Sequence, residues 1–340
     1  MRRILYLVTL ASSAAVLFFD GAVQAATVVY SDNFEVDSSA NYNVNSSGGN
    51  NAATFAYDYS AVGVPAAPNS GGTTRGLKLE ANYLNSNDAT EIFSGLSVSP
   101  KNLSLTSDFD IKFDLWQNSI GPFTGMNQDG GSGSTQVTAY GWGTAGTSAQ
   151  WAGGRDSVVF GATGDANSGA DWRIYPNSGT IPTTSPPYVA VPGAGDDVSV
   201  QNNIHSYYVA NFPGQAPPAA QTALFPADQT TATVSGGAPQ HGAAIFKWHA
   251  ALIRKRGNTL SWSLNGVPLG HVDLTGVGAL GGNNLFFGQS DINATASANA
   301  NARSLLFGLI DNVVVEIPEP ATMSLLAIGL AAFAGLRRRT

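Results

Sequence analysis

Cleaving a glycosidic bond takes two carboxyl groups flanking it, one protonated and one ionised. Two acids on one face of a strand stand two or four residues apart. Across residues 26–316 this chain carries only four glutamates, Glu35, Glu80, Glu91 and Glu316, and none has that spacing to another. Asp110 and Asp114 do stand four apart and are the pair that an aspartate-based hydrolase would use. Other catalytic patterns are missing. His205, His241, His249 and His271 show no HExxH spacing, and no GxSxG elbow presents a serine nucleophile. GWGTAG matches GxGxxG at Gly141, Gly143 and Gly146, but no helical pattern follows it to aim a dipole at a phosphate, so it reads as a glycine-rich loop.

Ligand-binding residues are better represented. Asp311 interrupts the apolar run SLLFGLIDNVVVEI, and an ionised carboxylate buried there costs several kcal/mol unless it is paired or liganded. The segment Asp32-Asn33-Phe34-Glu35 offers the hard oxygens that calcium collects. The plainer alternative puts Asp311 at a strand end, accepting backbone N–H bonds. DANSGAD places Asp165, Asn167 and Asp171 at loop spacing, but without the downstream glutamate of a calcium loop, and reads as an Asx turn. Trp142, Trp151 and Trp172 fall in a polar, glycine-rich stretch. Indole faces exposed there would stack on sugars; otherwise these rings pack their own loops down.

The elements that must carry these residues are strands. In LTSDFDIKFDLWQ, Phe109, Ile111, Phe113 and Leu115 alternate with Asp110, Lys112 and Asp114, which predicts a strand with one wet face. FKWHAAL puts Phe246, Trp248, Ala250 and Leu252 on one face. Gly257-Asn258 turns the chain, Leu260, Trp262 and Leu264 answer, and Asn265-Gly266 is a second hairpin turn. Trp248 and Trp262 are expected in the core. Helical periodicity is absent from the body, so the fold class is all-β, an antiparallel sandwich or barrel. The strand around Asp311, apolar on both faces, is expected at a sheet centre, with VVYSDNFEV pairing close to it. Residues 117–240, rich in Gly, Pro and Ser, read as a loop-rich insertion.

Both termini read as addresses. Arg2 and Arg3 precede the apolar Ile4–Phe19, and Val23-Gln24-Ala25 supplies small-residue cleavage chemistry, so residues 1–25 are a signal peptide handled by the Sec machinery and signal peptidase. Residues 321–336 carry no charge and meet Arg337, Arg338 and Arg339. The run is short of the ~20 residues that span a bilayer comfortably. The flanks lengthen it, and the arginines belong on the cytoplasmic side. Pro318-Glu319-Pro320, apolar run and arginine cluster, in that order, resemble the PEP-CTERM sorting signal (residues 317–340). The resemblance implies recognition by an exosortase, removal of the tail after a transient stay in the inner membrane, and arrival at the cell surface or extracellular matrix of a Gram-negative, exopolysaccharide-making bacterium.

Composition narrows the body, residues 26–316. Of the chain's 16 Lys+Arg, five lie in the terminal segments, leaving 11; of its 23 Asp+Glu, two do, leaving 21, a net charge near −10. That excludes nucleic acid, which needs a basic face; Arg254-Lys255-Arg256 reads as a solvated turn. The absence of cysteine excludes disulfides, a thiol nucleophile and a lipidated cysteine. Charged residues make up 11%, against roughly 25% in average proteins. Asn, Ser, Thr and Gly take their place, a surface suited to hydrated polysaccharide.

The hairpin LSWSLNGVPLG and the terminal IDNVVV resemble the concanavalin A-like lectin and glucanase, or LamG-like, group of jelly rolls. In glucanases of that group the acid pair stands on one strand as glutamates at alternating positions, a pattern this chain lacks. The resemblance also implies a structural calcium between an NFE-like start and an IDN-like end, here Asp32, Asn33, Glu35 and Asp311. The expected function is a noncatalytic structural or glycan-binding role outside the cell, with extracellular polysaccharide as partner. A polysaccharide hydrolase or lyase on the same sandwich is the alternative.

Overall fold

The computed structural model describes residues 26–48, 50–83, 94–120, 136–150, 155–163, 172–176, 188–189, 205–213, 215–229, 242–291 and 299–319. The chain divides into two compact units, one of residues 28–317 and one of residues 1–27 and 318–340. In the second unit the described residues are the outer ends of two strands. The signal segment and the apolar tail lie outside the described residues, and among the described ones no helix is long and apolar enough to cross a membrane.

In chain order the strands are β1 (Ala26–Asp32), β2 (Tyr42–Ser47), β3 (Ala52–Asp58), β4 (Arg75–Glu80), β5 (Ser94–Pro100), β6 (Phe109–Gln117), β7 (Gln136–Thr144) and β8 (Val158–Thr163). They continue as β9 (Trp172–Pro176), β10 (Tyr188–Val189), β11 (His249–Arg256), β12 (Thr259–Leu264), β13 (Val267–Asp273), β14 (Asn284–Asp291) and β15 (Gly308–Pro318). Among the described residues helix is limited to short pieces such as Ser206–Asn211, Ala219–Leu224 and Ala302–Leu305. Two sheets form an antiparallel sandwich. One runs β10-β13-β12-β11-β6-β15-β4-β3 with β1 also on β15; the other runs β2-β5-β14-β7-β8-β9. The first and last strands of the body therefore do pair.

β6 shows how the pattern sets the layers. Phe109, Ile111, Phe113 and Leu115 point into the main core, while Lys112 and Asp114 point out with Trp116. Trp116 packs in a second apolar cluster with Tyr59, Trp248, Phe307 and Leu309. Trp248 thus covers the sheet's outer face, whereas Trp262 fills the main core. The turns fall at Gly257-Asn258 and at Asn265-Gly266, whose φ angles of 52° and 75° suit a tight hairpin. β15 lies between β6 and β4, as its two apolar faces require. Asp311 pairs with Asp114 and Val314 with Lys112, so β15 bulges at Asn312, with φ 51°. The extra residue leaves Ile310 and Val313 both facing the core.

Residues 117–240 are not an insertion. β7, β8 and β9 arise within them and build half of the six-stranded sheet. Alternation is absent because these strands are buried on both faces: every residue of β7 and β8 is buried. Gly141 sits where an added Cβ would meet the Val158 carbonyl oxygen at 1.9 Å, so the outer side of β7 has no room for a side chain there.

Trp262 joins the sheets. It stacks on Phe160 at 5.4 Å between centroids, lies 5.8 Å from Trp172, and donates its Nε1–H to the Tyr140 hydroxyl at 3.0 Å. Trp262→Ala is expected to lower unfolding free energy by about 3–5 kcal/mol in denaturant titrations; a loss under about 1 kcal/mol would show that this cluster is not the centre of the core.

Candidate functional site

A groove of about 780 Å³ opens on the outer face of the nine-stranded sheet. Its position follows from the strand pattern. Lys112 and Asp114 come from β6, Ala250 and Leu252 from β11, Ser263 from β12, and Asn312, Val314 and Glu316 from β15; Asp32, Asn33 and Asn69 complete the wall. The floor is small and apolar, and the walls carry amides, hydroxyls and carboxylates. Lys112 Nζ meets Glu316 Oε2 at 2.7 Å. Exposed pairs of this kind contribute about 0–1 kcal/mol, so this one orients two wall side chains more than it stabilises the sheet.

Asp114 and Asp311 face each other across β6 and β15, both fully buried. Asp114 accepts from Asn69 N at 3.1 Å, Asn69 Nδ2 at 2.8 Å and Asn312 Nδ2 at 2.9 Å. Asp311 accepts from Asn312 N at 2.7 Å and the Tyr59 hydroxyl at 3.1 Å. Burial pushes the Asp311 carboxyl up to about 7; the Asn312 and Tyr59 hydrogen bonds oppose this, and the negative charges of Asp114 and Glu35 add to it. Asn312 therefore tethers both acids, one through its backbone and one through its side chain. Asn69 carries no signal as a site residue in the sequence. Asn312 alone was traceable, as the amide beside the one acid in an apolar strand.

The residues expected to hold calcium have hydrogen-bond partners of their own. Asp32 Oδ1 accepts from Phe34 N at 2.8 Å, and Oδ2 accepts from Ser38 Oγ at 2.7 Å and the Tyr42 hydroxyl at 3.0 Å. Tyr42 in turn receives a hydrogen bond from Tyr30, whose own hydroxyl burial raises to about 12. Asn33 caps the Glu35 N–H, and Glu35 accepts from the Thr73 hydroxyl. The Asp32 and Asn33 oxygens turn the chain after β1, while Glu35 reaches the loop at Thr73 and adds its negative charge to the surroundings of Asp311. Among the described residues no three His, Cys, Asp or Glu side chains could hold a metal together.

The stacking expectation is overturned for two of its three residues. Trp142 is buried, 5.5 Å from Phe109, with Nε1 donating to the Asn283 carbonyl at 3.1 Å. Trp172 is buried, stacked on Tyr208 at 4.9 Å, and donates to the Gly242 carbonyl at 3.0 Å. Both sit on strands whose polar flanks hid them. Trp151 and DANSGAD lie outside the described residues.

The wet face expected of β6 is also largely dry. Burial pushes Asp110 up, but hydrogen bonds and charge from Arg254 and Arg256 outweigh it and hold the carboxyl below its usual range. The basic run is therefore an ion-paired strand end and not a free turn. Burial, with a smaller contribution from Lys247, holds His249 down at about 4, so it is neutral above that. Its Nδ1 lies 2.8 Å from Asn265 Nδ2.

Residues 316–339 match the PEP-CTERM protein-sorting motif. Pro318 ends β15 and Glu319 follows it; Pro320, Arg337, Arg338 and Arg339 lie outside the described residues. No curated protein matches the chain in sequence. Among solved structures it is similar to the potassium-bound carbohydrate recognition domain of Emp46p (9% identity, 84% of this chain and 95% of that one, TM-score 0.37). It is also similar to the Ca2+/Man2-bound lumenal domain of VIP36 (10%, 86% and 90%, 0.35) and to the catalytic domain of an endo-1,3-beta-glucanase from Thermotoga petrophila (10%, 88% and 100%, 0.39).

The Asp311 proton makes stability depend on pH. The unfolded carboxyl titrates near 3.9 and the folded one at about 7, so between these values the folded state binds more protons and stability falls as pH rises, levelling above 7. Asp311→Asn keeps an acceptor for the Asn312 N–H and removes the charge. Comparing denaturant midpoints of parent and variant from pH 4 to 8, the variant is expected to gain on the parent as pH rises through this window; parallel curves would remove Asp311 as the titrating group.

Proposed function

We propose that the body is a noncatalytic glycan-binding protein of the cell surface or extracellular matrix, delivered by exosortase-dependent sorting, and that it holds a sugar chain in the groove between Asn69, Ser263 and Asn312. The sorting motif at residues 316–339 supports the delivery. One observation carries the binding: the groove pairs an apolar floor of Ala250, Leu252 and Val314 with amide and hydroxyl walls, while its carboxylates are already committed. Asp32 and Asp114 each accept three hydrogen bonds, and Glu316 is ion-paired. A sugar ring presents the complementary surface, an apolar face edged by hydroxyls. Catalysis would need one of these acids free to move a proton.

A polysaccharide hydrolase or lyase on the same sandwich is favoured by one observation, the raised proton affinity of Asp311. Asp311 is fully buried against Tyr59 and does not line the groove, which sets it out of reach of a glycosidic oxygen.

Glycan-array binding of the protein, paired with assays for reducing ends and unsaturated products, tests the reading. Retention of a glycan without product is expected. Ala250→Trp, which fills the groove from an exposed position on its floor, is expected to abolish retention at an unchanged melting midpoint. Turnover of the retained glycan, or retention that survives the tryptophan, would overturn the proposal, and binding to no glycan would leave a structural coat protein.

A further inference from the structure

The sorting motif begins inside the folded body. Glu316, the first matched residue, is still paired with Asp110 in the ladder and with Lys112 in an ion pair, and β15 continues to Pro318. The uncharged run starts at Ala321, five residues after Glu316. A chain reaches at most about 3.5 Å per residue, so the Glu316 Cα stands no more than about 18 Å from the start of that run. A headgroup layer takes up roughly 5–8 Å of this distance on each side of the hydrocarbon.

The registers say which end of the sheet this is. Glu316 lies beside Asp110, and Asp110 beside Arg254; β11 then runs two residues further to the exposed turn Gly257-Asn258. At about 3.3 Å per residue that turn projects roughly 7–10 Å beyond the Glu316 row, in the direction in which the chain leaves β15. We infer that, while the tail is uncut, the end of the sandwich bearing the Gly257-Asn258 turn rests on the headgroup layer of the bilayer that holds the tail. This rests on the sorting reading above.

The seating follows from tether length and not from charge. Near this end Lys112, Arg254, Lys255 and Arg256 are offset by Asp108, Asp110, Asp273, Glu316 and Glu319, and three of the four cations are within 3 Å of an acid. The same end should therefore face zwitterionic and anionic bilayers.

The absence of cysteine in the chain allows a clean test. Asn258→Cys labels the turn, and Lys247→Cys labels an exposed site beyond the opposite end of β11. Each full-length precursor, made without processing enzyme, is placed in phosphatidylcholine vesicles, with and without phosphatidylglycerol, containing a headgroup spin-label quencher. Quenching several-fold stronger at 258 than at 247 in both lipids is expected, and about twenty Gly/Ser residues inserted after Glu319 should remove the difference. Equal quenching without the insert, stronger quenching at 247, or dependence on anionic lipid overturns the inference. Failure of the precursor to float with vesicles overturns it differently, by showing that the tail is not membrane-held, and strikes the sorting reading itself.

Discussion

The structure depends on one constraint, that a carboxylate in the central strand of a sheet covered on both sides must find its hydrogen bonds without water. Asp311 meets it through Asn312 N and Tyr59, and the bulge at Asn312 makes both possible. An unbulged strand would turn Val313 or Ile310 away from the core, since one residue of slip reverses every later side chain. The bulge keeps the core continuous and sets an amide beside the acid. Tyr59 brings the loop after β3 with it, because its hydroxyl also receives the Ala67 N–H at 3.1 Å. Asn69 then descends on Asp114. The groove wall is thus a consequence of satisfying two acids in the sheet.

That arrangement also fixes the acids of the groove. A carboxylate that accepts three hydrogen bonds from fixed amides is held in one orientation by them. Asp114 is in that state, and its negative charge helps to keep Asp311 protonated. One acid is poised but inaccessible, and the other borders the cavity but is fully committed. Asp110, the remaining acid on the outward face of β6, is held by two arginines.

What could be read in the sequence divides along burial. β6, β12 and the turn at Asn265-Gly266 were legible because one face of each pairing is polar or the turn needs positive φ, both of which leave a local mark. β7 to β9 were not, because double-sided burial erases the period of two and glycines such as Gly141 imitate loop composition. The same erasure misplaced Trp142 and Trp172, which are bounded by polar stretches yet lie in the core. Asn69 could not be found at all: its role comes from a hydrogen bond across 45 residues of sequence. The oxygens of Asp32, Asn33 and Glu35 have the chemistry of a calcium set; the turn after β1 also uses Asp32 and Asn33 locally, and Glu35 accepts from Thr73 across 38 residues. Asx hydrogen bonds across two residues form before any long-range partner can compete.

The position of β15 also ties folding to export. Residues 308–318 separate β6 from β4 and pair with β1, so the nine-stranded sheet lacks its centre until the last part of the body is available. Before then β6, β4 and β1 each present an unpaired edge, the feature that promotes strand exchange and aggregation. β1 and β15 are separated by nearly the whole body, and contacts of such range close slowly because loop entropy must be overcome first. The strand that finishes the sheet leads directly into the sorting motif. In an exported chain the sheet therefore cannot be completed until residues 308–318, among the last of the body, are available where it folds.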